Sequence, residues 1–250
     1  MRQYKRKPAL SIVVPVRNEA DNIISLVAEI DAALRDRLDF EIVFVNDGST
    51  DATEAKLRDL MVSQSWVRQI KHTSAHGQSA AIRTGVVHAQ AQMIVTIDGD
   101  GQNDPAAISN LMDAQETGTA RVGLIAGQRV RRHASHLKRL QSRIANAVRN
   151  FVLHDGASDS GCGLKLFRRD LFLTLPYFDG QHRFMPALVR HQGYDVSYVD
   201  VADRPRLSGS SNYTGWNRLW IGILDLAGVW WLTYGSKQKP QAWEVFVDDR

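Results

Sequence analysis

The sequence of 250 residues contains a single cysteine, Cys162. No disulfide can close within the chain, and a cysteine-based zinc site is excluded. No uninterrupted apolar run reaches the roughly twenty residues that a membrane-spanning helix needs. The basic start, Met1 to Lys7, is followed by an apolar run of only strand length that ends at Pro15, so it does not read as a signal peptide. There is no internal repeat and no low-complexity linker. No Gly-x-Gly-x-x-Gly follows the first apolar run and no phosphate-binding P-loop occurs, which argues against a dehydrogenase and a P-loop enzyme. Acids are missing from one long stretch. Between Arg129 and Arg149 lie Arg131, Arg132, Lys138, Arg139 and Arg143 with no carboxylate among them. The net charge of +4 is therefore unevenly spread, and the block suits phosphates or an anionic membrane. Aromatics do not interleave with it as stacking surfaces for bases would require, so nucleic acid is not an expected partner.

What is present is a globular α/β pattern, with 44% hydrophobic and 23% charged residues. Apolar runs at 10–15, 41–46, 67–71, 93–97, 122–127, 164–167 and 196–201 read as strands. Helical spacing follows from Asn18, as N-cap, to Leu34, then at 51–62, 79–89, 105–116, 135–153, 184–192 and 216–234. Strand–helix alternation with short connections predicts a mostly parallel sheet with right-handed crossovers, flanked by helices. We expect a basic tail at 1–9, a catalytic domain at 10–213, and a C-terminal amphipathic helix and tail at 214–250.

Each early strand ends in polar or small residues: Asn18 and Glu19, then Asp47, then His76 and Gly77, then Asp98 and Asp100. In a parallel sheet these tips share one edge, where open α/β sheets bind ligands. The run Met93 to Gln102 is the most informative. Asp98 and Asp100 sit at the tip of a buried strand, and two carboxylates there can hold a hard divalent cation, Mg2+ or Mn2+, that neutralises a diphosphate. Gln102 offers a third oxygen.

Taken in order, Ile12 to Glu19, Val45 to Asp51 and Asp98 to Gln102 resemble the family 2 glycosyltransferases of the GT-A fold. Among these the chain is most similar to the polyprenyl-phosphate sugar synthases, from about Leu10 to Tyr213. The resemblance implies that Pro15, Val16, Asn18 and Glu19 line a nucleotide-sugar pocket, with Gly77 and Gln78 beside it and Asp47 near the nucleobase or ribose. It implies that Asp98, Asp100 and Gln102 hold the metal and the donor diphosphate, with Asp98 also in contact with the nucleotide. Arg129 falls where the subgroup places an active-site arginine. Arg139, Ser142, Arg204, Arg206 and Ser211 fall where phosphate groups are handled. Two departures stand out. The subgroup's Arg-x-x-Gly-x-Ser-Lys motif ends here in Asn212, which removes a positive charge and puts more weight on Arg204 or Arg206. Its Asp-x-Gly-Asp-Phe-Arg loop keeps Asp159 but has Cys162 in place of the second acid.

The chemistry implied is one inverting displacement, in which a polyprenyl phosphate attacks the sugar of a UDP- or GDP-linked donor. Asp100, Asp159 and Arg129 are the expected catalytic residues, Asp159 for positioning or base work. The stretch Trp216 to Tyr234 is rich in Trp, Leu and Ile but broken by Asp225, which suits the bilayer interface or a dimer. A peripheral protein on the cytoplasmic face of the plasma membrane follows as an expectation, with homo-oligomerisation left open. Two rival readings remain: a transferase of the same fold acting on a soluble or glycan hydroxyl, and a non-catalytic nucleotide- or nucleic-acid-binding module.

Overall fold

A computed structural model describes residues 7–130, 147–204 and 215–235. Seven strands lie in one sheet: β1 (Leu10–Val16), β2 (Phe40–Asn46), β3 (Val67–Lys71), β4 (Met93–Thr96), β5 (Val122–Arg129), β6 (Lys165–Arg168) and β7 (Asp195–Val201). Their order is β3-β2-β1-β4-β6-β5-β7. All neighbours pair in parallel except β6, which runs antiparallel between β4 and β5. The sheet is therefore mixed, and a single inserted strand makes it so. The apolar runs explain the burial: β2 is buried at all seven positions because helices cover both faces.

The helices are α1 (Ile23–Leu34), α2 (Thr53–Ser63), α3 (Gln78–His88), α4 (Ala107–Thr117), helical residues 147–153 (α5), α6 (Arg169–Thr174), α7 (Gln181–His191) and α8 (Gly215–Tyr234). On α1, Ile23, Leu26, Val27, Ile30 and Leu34 form one buried stripe, the period of an amphipathic helix. That stripe packs with Leu57 of α2 and Leu111 of α4 against Ile12, Val14, Ile42 and Phe44. The opposite face carries α3, α6 and α7, where Ile82, Val86, Phe172 and Leu188 cover Val13, Ile94 and Phe167. Each such apolar side chain contributes roughly 1.5–3 kcal/mol on burial, so replacing the fully buried Phe44 of β2 is a single change that would endanger the fold.

Three expectations from the sequence are corrected. Asn18 does not cap α1, which starts at Ile23; it sits at φ 58° in the left-handed region. Its N–H donates to Ser49 Oγ at 3.0 Å and its Oδ1 accepts from Thr50 N at 2.8 Å, so it ties the β1 and β2 tips together instead. Next, α7 starts three residues earlier than its apolar pattern suggested, at Gln181, and α6 was not anticipated. The third concerns the basic stretch, whose two ends turn inward. Arg129 meets Asp159 and Asp203, and Arg149 is buried against Asp155. Their acids come from elsewhere in the sequence, which local counting could not reveal. Residues 131–146, between those ends, lie outside the described residues.

One side of α8 packs on α7: Val229 is buried, and Asp225 lies 3.8 Å from Arg183. The other side exposes Leu224, Trp230, Trp231 and Tyr234. The hydroxyl of Tyr234 bonds His154 Nδ1 at 3.0 Å, which sets this face beside Val148 and Phe151 of α5, both exposed. Among the described residues no helix is long and apolar enough to cross a membrane.

Candidate active site

The C-terminal ends of β1, β2, β3, β4 and β5 fall on one edge of the sheet, as does the start of β6. The β1 tip is fixed by close packing: a Cβ on Gly99 would stand 2.6 Å from Val16 Cγ1 and 3.1 Å from the Pro15 carbonyl oxygen. Glycine is required there for the two tips to meet. Glu19 accepts from Asn22 Nδ2 at 2.7 Å, and its own N–H donates to Thr53 Oγ1 at 3.0 Å. Asn18 and Glu19 thus shape the rim of the crevice through the loops they hold.

Asp47, after β2, is placed at the same rim with both oxygens engaged. Oδ1 accepts from His76 N at 2.8 Å and faces His72 Nδ1 at 2.7 Å; Oδ2 accepts from Gly77 N at 2.8 Å. Burial opposes its charge, but these donors win and hold the carboxyl below the usual carboxylate range. In this state Asp47 organises the loop into α3, where Gly77 sits at φ 89° with open space beside it.

At the β4 tip, Asp98 accepts from Gln78 Nε2 at 2.7 Å. Burial pushes its carboxyl up to about 6, and the neighbouring charge of Asp100 adds to this, against Lys165, Arg129 and the Gln78 bond. Asp100 is buried and accepts from Gln102 N at 3.1 Å. The Gln102 carbonyl accepts from Arg204 N at 3.0 Å, next to a bridge between Asn103 and Asp203. The chain thus returns to the β4 tip just before residues 205–214.

Arg129 ends β5. Its Nε and Nη2 donate to the two oxygens of Asp159 at 2.6 and 3.1 Å, and Nη1 lies 3.7 Å from Asp203. Both partners in the fork are 9% exposed. Burial works against the guanidinium, but the two acids raise its pKa overall. Asp159 is thereby held as an anchor for Arg129, which favours the positioning role over base work. Arg204, half-exposed, pairs with Glu29 and with Asp104 at 2.9 Å. A phosphate would have to compete with these two acids for this side chain. Arg139, Ser142, Arg206, Ser211 and Asn212 lie outside the described residues.

Three contributors were not singled out in the sequence. Gly163 lies against Asp98, so closely that a Cβ would be 2.3 Å from the carboxylate. Lys165 is buried, donates to the Cys162 carbonyl, and has its pKa lowered by burial against the pull of Asp98 and Asp159. His182 of α7 faces Ser79 Oγ at 2.7 Å; burial and the charge of Lys165 lower it to about 3, so it is neutral. Antiparallel pairing of β6 with β4 brings the first two to the tip, and only a pattern of strand direction could have signalled that.

Among the described residues no group of three His, Cys, Asp or Glu side chains gathers to hold a metal ion. The donor set still fits Mg2+ or Mn2+. Such ions are bound by one or two carboxylates and completed by substrate phosphates and water. Asp98 and Asp100 supply two hard oxygen donors whose mutual repulsion a cation would relieve.

An open α/β sheet that gathers paired carboxylates and an arginine at one edge is the architecture of the GT-A fold. The profile described as glycosyl transferase family 2 matches residues 11–175, and the chain belongs to that family. It is 32% identical over 208 residues to an undecaprenyl-phosphate 4-deoxy-4-formamido-L-arabinose transferase of Pseudomonas fluorescens, covering 82% of this chain and 60% of that one. It is also 32% identical over 225 residues to a dodecaprenyl-phosphate galacturonate synthase of Rhizobium johnstonii, covering 88% and 66%. The chain thus spans about three fifths to two thirds of the length of these relatives. The fold matches glucosyl-3-phosphoglycerate synthase of Mycobacterium tuberculosis, solved with Mn2+, UDP and glucosyl-3-phosphoglycerate. The TM-score there is 0.67 at 15% identity, over 92% of this chain and 81% of that one.

Proposed function

We propose that this chain moves a sugar from a nucleotide-sugar donor to a polyprenyl phosphate at a membrane surface, with inversion at the anomeric carbon. One observation carries the choice of acceptor. The carboxylates at the strand tips are already engaged: Asp47 by His72, His76 and Gly77, Asp98 by Gln78, Asp100 by Gln102, and Asp159 by Arg129. Of the histidines, His72 has both ring nitrogens engaged, by Asp47 and Thr84, and His182, lowered to about 3, is a poor base at neutral pH. A hydroxyl acceptor needs a base to take its proton. A phosphate monoester is already anionic and does not. Both relatives at 32% identity carry a polyprenyl phosphate in their names, which supports the same reading.

In this account Pro15, Val16, Asn18, Glu19, Asp47, Gly77 and Gln78 form the donor crevice. Asp98, Asp100 and Gln102 hold a divalent cation, which supplies positive charge to the leaving diphosphate. Arg129, fixed by Asp159 and Asp203, faces the phosphates as charge develops on them. Peripheral attachment at the cytoplasmic face is assigned to the exposed aromatic side of α8, since Trp and Tyr favour the headgroup region.

The test pairs two acceptors of one chain length, a polyprenyl phosphate and the matching alcohol, with a panel of UDP- and GDP-sugars. Transfer to the phosphate alone is the expected result. Transfer to the alcohol, or to a soluble glycan in preference to either, would replace this reading with the hydroxyl-acceptor alternative.

A further inference from the structure

Side chains alternate between faces along a strand, and this alternation gathers charge under the β4 tip. Ile94 faces the side of the sheet covered by α3 and α7, and Thr96 and Asp98 follow at intervals of two. On β6, Phe167 faces the same side, and so does Lys165. Register sets Thr96 opposite Lys165; two residues on, Gly163 lies against the Asp98 carboxylate. Thr96 Oγ1 donates to the Gly163 carbonyl at 2.7 Å, which fixes that approach. Lys165 is 3% exposed, bonds the Cys162 carbonyl, and lies within electrostatic reach of Asp98 and Asp159. Two other buried cations are already paired: Arg129 with Asp159 and Asp203, and Arg149, whose charge also reaches Lys165, with Asp155.

We propose that Lys165 keeps its proton despite its burial and is a positioning residue whose ammonium balances Asp98 before the donor arrives, so that a divalent cation binds together with the nucleotide diphosphate rather than alone. The reasoning is electrostatic. An ammonium behind the carboxylates repels a divalent cation and attracts a diphosphate, and in the protein interior both effects far exceed their size in water. With Lys165 in place the tip holds a bare cation weakly, and the incoming diphosphate restores the attraction. The role rests on the donor site proposed above and adds to it a reason why cation and donor arrive as one unit.

The test uses the full chain and Lys165→Met. Mn2+ binding is measured by electron paramagnetic resonance without nucleotide, and UDP or GDP binding by calorimetry without metal. The variant is expected to bind Mn2+ about tenfold or more tightly and the nucleoside diphosphate about tenfold or more weakly, two shifts of opposite sign. Lys165→Arg keeps both near wild type. A packing role would weaken both ligands together, and that result, or no change in either, overturns the proposal. If Lys165→Met does not fold, the Asp98→Asn/Lys165→Met double variant decides, because removing both members of a charge pair is milder than stranding one. A double variant that folds or melts higher than the single supports the pair; one that does not overturns it. A wild-type chain whose Mn2+ affinity is unmoved by UDP and GDP would instead sink the donor site itself. Cooperative binding in the wild type with both ligands weakened in Lys165→Met sinks only the role of Lys165.

Discussion

Replacing Gly163 with alanine tests the β4 tip with the smallest possible change. The added Cβ would fall 2.3 Å from Cγ and both oxygens of Asp98, where ordinary contact begins near 3.4 Å. One partner must therefore retreat by about 1 Å. The glycine is pinned by Thr96 Oγ1 on its own carbonyl and by Gly127 N on the carbonyl of Leu164, at 2.7 and 2.9 Å. Asp98 is the softer side, and its movement breaks the 2.7 Å bond to Gln78. Gly163 has no positive φ, so alanine is compatible with the backbone there. The fold should survive at a cost of about 1–3 kcal/mol, typical of overpacking. Displacing a site group by about 1 Å should cut turnover by about 100-fold. Sugar transfer, Mn2+ affinity and a thermal melt are measured side by side. A variant with turnover and Mn2+ affinity within about twofold of wild type would refute the placement of Asp98 in the site.

Other outcomes follow from the same geometry. Asp159→Asn leaves Asp203, 3.7 Å away, as the remaining acid beside the buried guanidinium of Arg129 and should cost about 1–3 kcal/mol in a denaturant melt; an unchanged midpoint would mean the fork does not persist in solution. Asp98 has its folded pKa raised to about 6, above its unfolded value. Its contribution to stability is therefore present below the usual carboxylate range and lost as pH rises through about 6, by at most about 3 kcal/mol. The ionised form is also the one that binds a cation, so Mn2+ affinity should climb over the same window, and a profile identical to that of Asp98→Asn would contradict this. Changing Trp230 and Trp231 together to serine removes two aromatic side chains from the exposed face of α8 and should lower co-flotation with anionic vesicles about tenfold or more. Undiminished flotation would place the membrane contact elsewhere.

Much of the fold was legible because its signals are local. Apolar runs such as Ile42 to Val45 mark strands buried on both faces, and Asp98-Gly99-Asp100 marks a tip by ending one. The pairing of β6 was not legible, because strand direction leaves no trace in a four-residue run such as Lys165–Arg168. Gly163 consequently read as a loop residue and Lys165 as an ordinary strand position, although the fold sets Gly163 against Asp98 and brings Lys165 within reach of its charge. Asn18 misled for a physical reason: its side chain satisfies Thr50 N on another loop, a partner 32 positions away, and not the first turn of α1. The partners of Arg129 and Arg149 were not legible either, since a block without acids reads as facing phosphates or a membrane until long-range acids such as Asp159 and Asp155 are placed. Asp47 was found correctly as a tip residue, yet its three donors from the β3–α3 loop could not be read from Val45 to Asp51 alone.

The central claim is transfer of a sugar onto a lipid phosphate. Its most direct test incubates the purified chain with Mn2+, a polyprenyl phosphate and each nucleotide sugar in turn, and examines the lipid product by mass spectrometry and phosphorus NMR. The account predicts a sugar–phosphate–polyprenyl phosphodiester with inverted anomeric configuration, formed with one equivalent of nucleoside diphosphate and absent with Asp100→Ala. A retained anomer, a sugar joined to a hydroxyl, or product from Asp100→Ala at the wild-type rate would contradict it.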